Sequence, residues 1–186
     1  METKHLYEKE RQFSPHILFL RMAREAIDLY ENTPSKSIFS SITAITMSAL
    51  AIEALCNSVG ERVVDSWKDF EGSSPKAKIR IICDELKIEY IANHEPWSTI
   101  VWLSNTRNKL AHGKPQVLKQ SYKATHEEAL HDFDKPESRL EKLFTIGNAK
   151  RAHSSVTEVS SIFAKKVPAK KAFGLFVDMW STSSSD

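Results

Sequence analysis

The residues best suited to chemistry in this chain lie close together near its middle: Arg107, Asn108 and His112. Arginine offers a planar fork of N–H donors that matches phosphate oxygens, and histidine can accept or donate a proton near neutral pH. This combination suits phosphodiester chemistry, in which a proton moves while negative charge builds on phosphate oxygens. Gly113 and Pro115 follow closely. Because these residue types typically end helices, His112 is predicted to lie in the last turn of a helix.

Helix geometry complicates a direct pairing of the two catalytic candidates. Positions five residues apart on an ideal helix differ in direction by about 140°, so Arg107 and His112 do not share a face. Asn108 and His112, at i and i+4, do share one. We therefore expect either that the long arginine side chain bends round the helix end, or that the working site combines residues from two copies of the chain.

A carboxylate in an apolar helix is the next chemical candidate. The segment 37–58 is mostly apolar and predicts a central core helix, which Gly60 is expected to end. Within this segment, Thr46, Glu53 and Asn57 follow one line at helical spacing. A buried carboxylate is costly unless it is paired, so Glu53 is expected to contact a cation. It would then hold two helices together or orient the catalytic pair, and the two roles are compatible.

The Arg-to-His spacing alone carries little information, because a chain of this composition contains it about once by chance. In its context, however, the segment Arg107-Asn108-Lys109-Leu110-Ala111-His112 closely resembles the R-x4-6-H signature of HEPN (higher eukaryote and prokaryote nucleotide-binding) domains, in which a polar residue often follows the arginine. The order of elements also resembles that family. An apolar helix bearing Glu53 precedes a lysine-bearing helix opened by Ser-Pro, and the motif helix follows. The resemblance covers about residues 15–165.

The resemblance implies an all-α bundle of five to six helices that forms a homodimer, with the motif helices of two protomers meeting at the interface. Many members of the family are metal-independent endoribonucleases, often toxins or defence effectors restrained by an antitoxin. By carry-over, Arg107 and His112 would be catalytic, Asn108 their polar neighbour and Glu53 the assisting carboxylate. The 2′-hydroxyl of RNA would attack the adjacent phosphate, and neither a metal nor a cofactor would be needed.

Three further residues are candidates for binding the RNA substrate: Lys109, Lys114 and Asn57. The lysines offer ammonium groups that bind phosphate as point charges. Lys114 also marks a departure from toxins that pair with a minimal nucleotidyltransferase antitoxin. Those toxins often carry a tyrosine two residues after the motif histidine, as the target of modification. Regulation by that route is not expected here, and Lys114 would instead help to hold phosphate.

The amino-acid composition indicates the fold class but does not decide between partners. Five Gly and seven Pro in 186 residues are few for a turn-rich all-β fold, so the composition favours helices. The net charge of +2 neither requires nor excludes a nucleic-acid partner. The residues nearest to a metal-site pattern are expected to lie on the surface without a metal: His126, His131, Asp132 and Asp134.

Cysteine usage and hydropathy indicate the environment. Cys56 and Cys83 lie in apolar helical patterns without metal-ligand spacing, as is typical of buried free thiols in a reducing compartment. The N-terminal segment lacks the apolar stretch of a signal peptide, and the weakly charged run 37–52 is short and rich in Ser and Thr. We therefore expect a cytoplasmic protein without a membrane span.

The chain is expected to contain one helical domain of the HEPN-like type, 14–167. A polar segment, 1–13, precedes it, and an apolar segment with a Ser-rich tail, 168–186, follows it. The tail is expected to be disordered because of its composition. A long final helix is expected from about Pro136, since its apolar residues recur at helical spacing. Val167 and Pro168 are expected to end it, and Gly147 is a position where it could bend.

Two Ser-Pro pairs predict where helices begin, and the second of these helices carries three cations. Ser14 followed by Pro, and Ser74 followed by Pro, are typical N-terminal signals of helices. The cations of the second of these helices are Lys76, Lys78 and Arg80. They are expected to form a solvated face, with a contact to RNA as the alternative.

Two alternatives to the nuclease stay open on sequence grounds. The chain could be a catalytically silent HEPN-like module that binds RNA, a nucleotide or a protein. It could also be an unrelated helical interaction protein. In that case Arg107 would pair with Glu53 or with a surface acid, and His112 would only cap its helix.

Overall fold

Helices make up most of the part of the chain that the computed structural model describes, residues 6–33, 37–131 and 135–185. This confirms the all-α fold class, and five of the seven helices in these ranges are 11 residues or longer. In chain order the helices are α1 (Pro15–Asn32), α2 (Ile38–Val63), α3 (Pro75–Glu85), α4 (Trp97–Ala111), α5 (His126–His131), α6 (Ile146–Lys166) and α7 (Ala169–Ala172). Two strands, β1 (Leu6–Gln12) and β2 (Met179–Ser185), pair antiparallel.

Helix α2 forms the centre of the bundle, because it packs against α1, α3, α4 and α6. Half of its residues are buried, among them Ile45, Ile52 and Leu55. By length and composition α2 could also cross a membrane, but the core helix of a soluble protein meets the same criteria. The four helices packed around α2 explain why apolar residues occur on most sides of it.

Gly60 does not end α2, contrary to the expectation from sequence, and the helix continues to Val63. A Cβ atom at position 60 would lie 2.5 Å from ring atoms of Trp67. This tryptophan opens a 3₁₀ turn and its indole is buried against the helix. The glycine is therefore explained by close packing, and the prediction of a helix stop at this position was wrong.

Helix α3 begins as predicted but does not present all its cations to solvent. The hydroxyl of Ser74 accepts a hydrogen bond from the backbone N–H three residues later, at 3.3 Å. Lys76 and Arg80 are exposed, whereas the side chain of Lys78 is only 2% exposed. Its ammonium group donates a hydrogen bond to Oδ1 of Asn57 at 2.8 Å. The prediction of a solvated face is wrong for Lys78, because Asn57 on α2 accepts a hydrogen bond from its ammonium group inside the bundle.

Helix α6 begins at Ile146, later than the apolar spacing suggested. The preceding segment forms a separate 3₁₀ turn, which opens with two reciprocal hydrogen bonds. The N–H of Ser138 donates to the Glu141 carboxylate at 2.7 Å, and the N–H of Glu141 donates to the Ser138 hydroxyl at 3.0 Å. The hydroxyl of Thr145 then caps α6 by accepting from a backbone N–H at 3.1 Å. The prediction of one long helix was wrong because a second start signal interrupts it.

The Ser-rich tail is ordered as a strand over 179–185, so the prediction of disorder was wrong for these residues. Strand β2 pairs with β1 near the opposite end of the chain. Two contacts support this pairing from its flank. The guanidinium of Arg11 lies 3.0 Å from the carboxylate of Asp178, and the hydroxyl of Ser14 donates to the carbonyl of Gly174 at 3.1 Å. Local composition does not reveal pairing between such distant segments.

Candidate functional site

The motif helix, α4, is anchored to α6 at its N-terminal end. The carboxylate of Glu95 accepts hydrogen bonds from Ser98 and Thr99 at 2.6 and 2.8 Å, and from Ser155 of α6 at 3.3 Å. Partial burial raises the pKa of Glu95, but these hydrogen bonds outweigh that effect and hold the pKa below its usual value. The carboxylate is therefore the form that binds the helix start, and α4 enters the bundle in a defined position.

The motif ends α4 as predicted. The helix extends to Ala111, and the backbone N–H of His112 closes its last turn by donating to the carbonyl of Asn108 at 3.0 Å. At Gly113 a Cβ atom would lie 3.1 Å from the carbonyl oxygen of Lys109, so a glycine lets the chain leave the helix closely past its last turn. His112 is exposed at this end of the helix.

The guanidinium of Arg107 is held by two neighbours. Its Nη2 lies 3.6 Å from Oε2 of Glu53, which forms an ion pair between α4 and α2. Its Nη1 donates a hydrogen bond to Oδ1 of Asn108 at 3.2 Å. The expectation that Glu53 finds a cation is therefore confirmed. The side chains of Arg107 and Glu53 are 41% and 31% exposed, so a ligand can still reach the guanidinium.

A second cation meets the polar line of α2 one turn further along. Asn57 accepts the hydrogen bond from the ammonium group of Lys78, so α2 contacts one cation from α3 and one from α4. Cys56 is fully buried nearby. Burial raises the pKa of its thiol well above the usual value, while Lys78 opposes the shift. This cysteine is thus unsuited to act as a nucleophile at neutral pH.

His112 lines a cleft of about 800 Å³ between the end of α4, the segment that follows it and the 3₁₀ turn at 141–143. Neither Arg107 nor Glu53 lines this cleft. Its cationic lining residues are Lys109, Lys114 and Arg139, and its leucines are Leu118, Leu140 and Leu143. The cleft therefore combines positive charge with apolar surface beside an exposed imidazole.

In the single chain, the residues singled out from the sequence fall into two groups. The first group comprises Glu53, Arg107 and Asn108, which meet at the ion pair between α2 and α4, and Asn57, which lies one turn further along α2 and contacts Lys78. The second group lines the cleft and comprises Lys109, His112 and Lys114. Helix geometry separates Arg107 from His112, because these positions face directions about 140° apart. Asn108 shares a face with His112, but its side chain accepts a hydrogen bond from Arg107.

Sequence reasoning missed Arg139 and Glu141, which line the same cleft from a distant segment. One signal could have located their turn: Ser138 and Glu141 have the S-x-x-E spacing of a capping box, which the structure forms. The carboxylate of Glu141 also lies 3.7 Å from the ammonium group of Lys135. Hydrogen bonds from Ser138 hold the pKa of Glu141 below its usual value, which favours the charged carboxylate.

The residues considered as possible metal ligands do not form a metal site in the described part of the chain. Within the ranges that the structure describes, no group of three or more His, Cys, Asp or Glu residues is placed to hold a metal ion. His126 is exposed at the start of α5. Asp132 and Asp134, which were considered with it, lie outside the described residues.

No protein-family model, curated protein or solved structure matches this chain. The resemblance to HEPN domains therefore stays a prediction that rests on the motif and on the order of elements around it.

Proposed function

We propose that this protein is a metal-independent endoribonuclease of the HEPN type, a cytoplasmic toxin or defence effector that acts as a homodimer and is restrained by an antitoxin or another regulatory protein. The observation that carries the proposal is the arrangement at the end of α4. Arg107 is oriented by Glu53 and Asn108 and is still partly exposed. His112 is exposed beside a cleft with three cations. An accessible guanidinium can bind phosphate, and an exposed imidazole can move a proton.

The proposed reaction uses side chains and the RNA itself. The 2′-oxygen of a ribose attacks the adjacent phosphorus, the bond from phosphorus to the 5′-oxygen breaks, and the products are a 2′,3′-cyclic phosphate and a 5′-hydroxyl. His112 accepts the proton of the 2′-hydroxyl, and the second imidazole of the dimer donates a proton to the leaving 5′-oxygen. Arg107 stabilises the charge on the pentacoordinate phosphate.

A dimer accounts for the separation of the two groups of residues. Within one chain, Arg107 contacts α2, whereas His112 lines the cleft. When two motif helices meet about a two-fold axis, the arginine of one protomer can lie beside the histidine of the other. The same arrangement places two imidazoles in one site, which supplies both the base and the acid.

The deciding experiment is cleavage of mixed RNA in EDTA by the wild type, by His112→Ala and by Arg107→Ala. We expect cyclic phosphate ends from the wild type and a loss of at least about 100-fold in each variant, as for removal of a general base or of a charge-stabilising donor. His126→Ala, which removes an exposed histidine from α5, is the matched control and should cleave normally. Equal cleavage by the wild type and His112→Ala would identify a contaminating nuclease and reject the proposal.

One observation favours a second function, a silent HEPN-like module that binds RNA without cleaving it. The guanidinium of Arg107 already has two protein partners and does not line the cleft that holds His112. In such a module the arginine would serve to join α2 and α4. Binding of RNA by the wild type without any cleavage, across diverse sequences, would select this function over the nuclease.

A further inference from the structure

The cleft beside His112 extends well beyond the residues that the reaction itself uses. We propose that it is a binding subsite for single-stranded RNA, in which Arg139 contacts a phosphate and a neighbouring nucleobase lies against the leucines. The proposal rests on the proposed function and specifies its substrate class. It also assigns a role to a segment, 138–143, that is remote from the motif in the sequence.

The charges of the cleft favour a polyanion. Lys109, Lys114 and Arg139 line it, and no ion pair joins any of them to an acid among the residues that the structure describes. The acid in the lining is Glu141, and its carboxylate is already engaged by the backbone N–H of Ser138 and by a lysine outside the cleft. The three cations are therefore left to attract phosphate, which supplies most of the affinity of a protein for nucleic acid.

The apolar part of the cleft favours an unpaired base. Leu118, Leu140 and Leu143 line it, and Leu140 also packs against the hydrophobic core, which fixes its position. The volume of about 800 Å³ lies within the range of pockets that hold small organic groups, about 300–1,000 Å³. In a duplex the faces of the bases are stacked on one another, so only an unstacked base can place its face against the leucines.

The position of the cleft links it to the proposed chemistry. His112 lines the same cleft as Arg139, so a strand held there passes the imidazole. Arg139 approaches from the segment just before the 3₁₀ turn, whereas Lys109 and Lys114 lie on either side of His112 in the sequence. Cations that flank the imidazole from two segments can hold phosphates on both sides of the bond to be cleaved.

The test uses the full-length His112→Ala variant, so that binding is measured without cleavage. Its affinity for a fluorescein-labelled single strand of mixed sequence is compared with that for a blunt RNA duplex of the same length. We expect the single strand to bind at least about tenfold tighter, since the duplex cannot present an unstacked base. Adding Arg139→Ala should weaken binding of the single strand about tenfold and reduce the slope of log K against log salt by about 0.7.

Two further variants separate the phosphate contact from the base contact. Leu118 is 39% exposed, so Leu118→Ser should fold normally. It should weaken binding of the single strand but leave the salt dependence unchanged, because it removes no charge. Arg62→Ala, which removes an exposed arginine from the last turn of α2, is the charge-matched control and should bind like the parent.

Failure of this proposal is distinguishable from failure of the nuclease proposal. Equal affinity for single strand and duplex, or an effect of Arg139→Ala no larger than that of Arg62→Ala, would overturn the subsite even if the wild type cleaves RNA. Conversely, tight single-strand binding that depends on Arg139 would support the subsite even if the wild type cleaves nothing.

Discussion

The guanidinium of Arg107 lies 3.6 Å from the carboxylate of Glu53, and this ion pair joins the motif helix to the central helix of the bundle. Both side chains are partly exposed, at 41% and 31%. Ion pairs that water can reach contribute at most about 1 kcal/mol to folding, because solvent screens their attraction. The contact is therefore better suited to orienting the arginine than to holding the bundle together.

Replacing Glu53 with glutamine should separate these two roles. Glu53→Gln keeps the size of the side chain but removes its charge, so the guanidinium of Arg107 loses the carboxylate that orients it. We expect the free energy of unfolding to change by less than about 1 kcal/mol and kcat for RNA cleavage to fall about tenfold or more, since misplacement of a charge-stabilising group is costly for catalysis. Urea unfolding and cleavage kinetics measure the two effects.

Glu61→Gln is the control for this variant, because Glu61 is an exposed acid on the same helix. It should alter neither stability nor cleavage. A loss of several kcal/mol in Glu53→Gln would show that the ion pair is mainly structural, and unchanged kcat in a well-folded variant would remove Glu53 from the proposed site.

The buried lysine on α3 provides the second prediction. Lys78 is 2% exposed and donates a hydrogen bond to Asn57 at 2.8 Å. Asn57→Ala should destabilise the protein by about 2–4 kcal/mol, because it leaves a buried ammonium group without this acceptor. Lys78→Met in the same background should recover much of the loss, because it removes the buried charge. Chemical unfolding of the single and double variants measures the coupling.

Lys76→Met is the control for Lys78→Met, because Lys76 lies on the same helix and is exposed. It should change stability by no more than about 0.5 kcal/mol. Additive effects of Asn57→Ala and Lys78→Met would show that the hydrogen bond contributes little and that another interaction compensates the lysine.

The sequence predicted those features that local chemistry decides. The start of α3 follows from Ser74 and Pro75, and the end of α4 follows from Gly113, since each signal acts within one helical turn. Helix α1 also begins at the predicted Pro15, but the hydroxyl of Ser14 does not cap it and instead donates a hydrogen bond to the carbonyl of Gly174. A cation partner for Glu53 was also predicted, from the cost of burying a carboxylate without one. The ion pair is confirmed, but Glu53 is 31% exposed, so the expected burial was wrong.

The features that the sequence did not reveal depend on tertiary contacts. Gly60 was interpreted as a helix stop because the position of Trp67 against it cannot be read locally. The burial of Lys78 depends on Asn57, and the lining of the cleft by Arg139 depends on how the segment before α6 packs. Propensity and spacing carry no direct information on such tertiary contacts, so these residues could not be placed in advance.

A buried histidine predicts the pH dependence of stability. His16 is 1% exposed, and neither ring nitrogen has a hydrogen-bond partner among the described residues. Burial lowers the pKa of His16 from 6.5 to about 4, although Asp178 opposes the shift. Between these values the unfolded chain binds the proton and the folded protein does not. The free energy of unfolding should therefore fall by about 2 kcal/mol from about pH 7.5 to about pH 5, as measured by urea unfolding.

His16→Leu should reduce this pH dependence, because the imidazole packs edge-on against the ring of Phe176 and an apolar side chain suits the same surroundings. A smaller slope should persist, since burial and the nearby Arg24 also lower the pKa of His153. His94→Leu, which replaces an exposed histidine, is the control and should retain the slope of the wild type. An unchanged slope in His16→Leu would assign the effect to other groups.

Close packing at Gly60 provides the last prediction. A methyl group at this position would lie 2.5 Å from the indole of Trp67, which is buried and cannot move aside without disturbing the end of α2. Gly60→Ala should therefore destabilise the protein by about 1–3 kcal/mol in urea unfolding, although alanine is the better helix former. At Gly72 a Cβ atom would meet nothing within 4 Å, so Gly72→Ala should stay within about 0.5 kcal/mol of the wild type. Stabilisation by Gly60→Ala would instead mean that the indole does not pack against this helix.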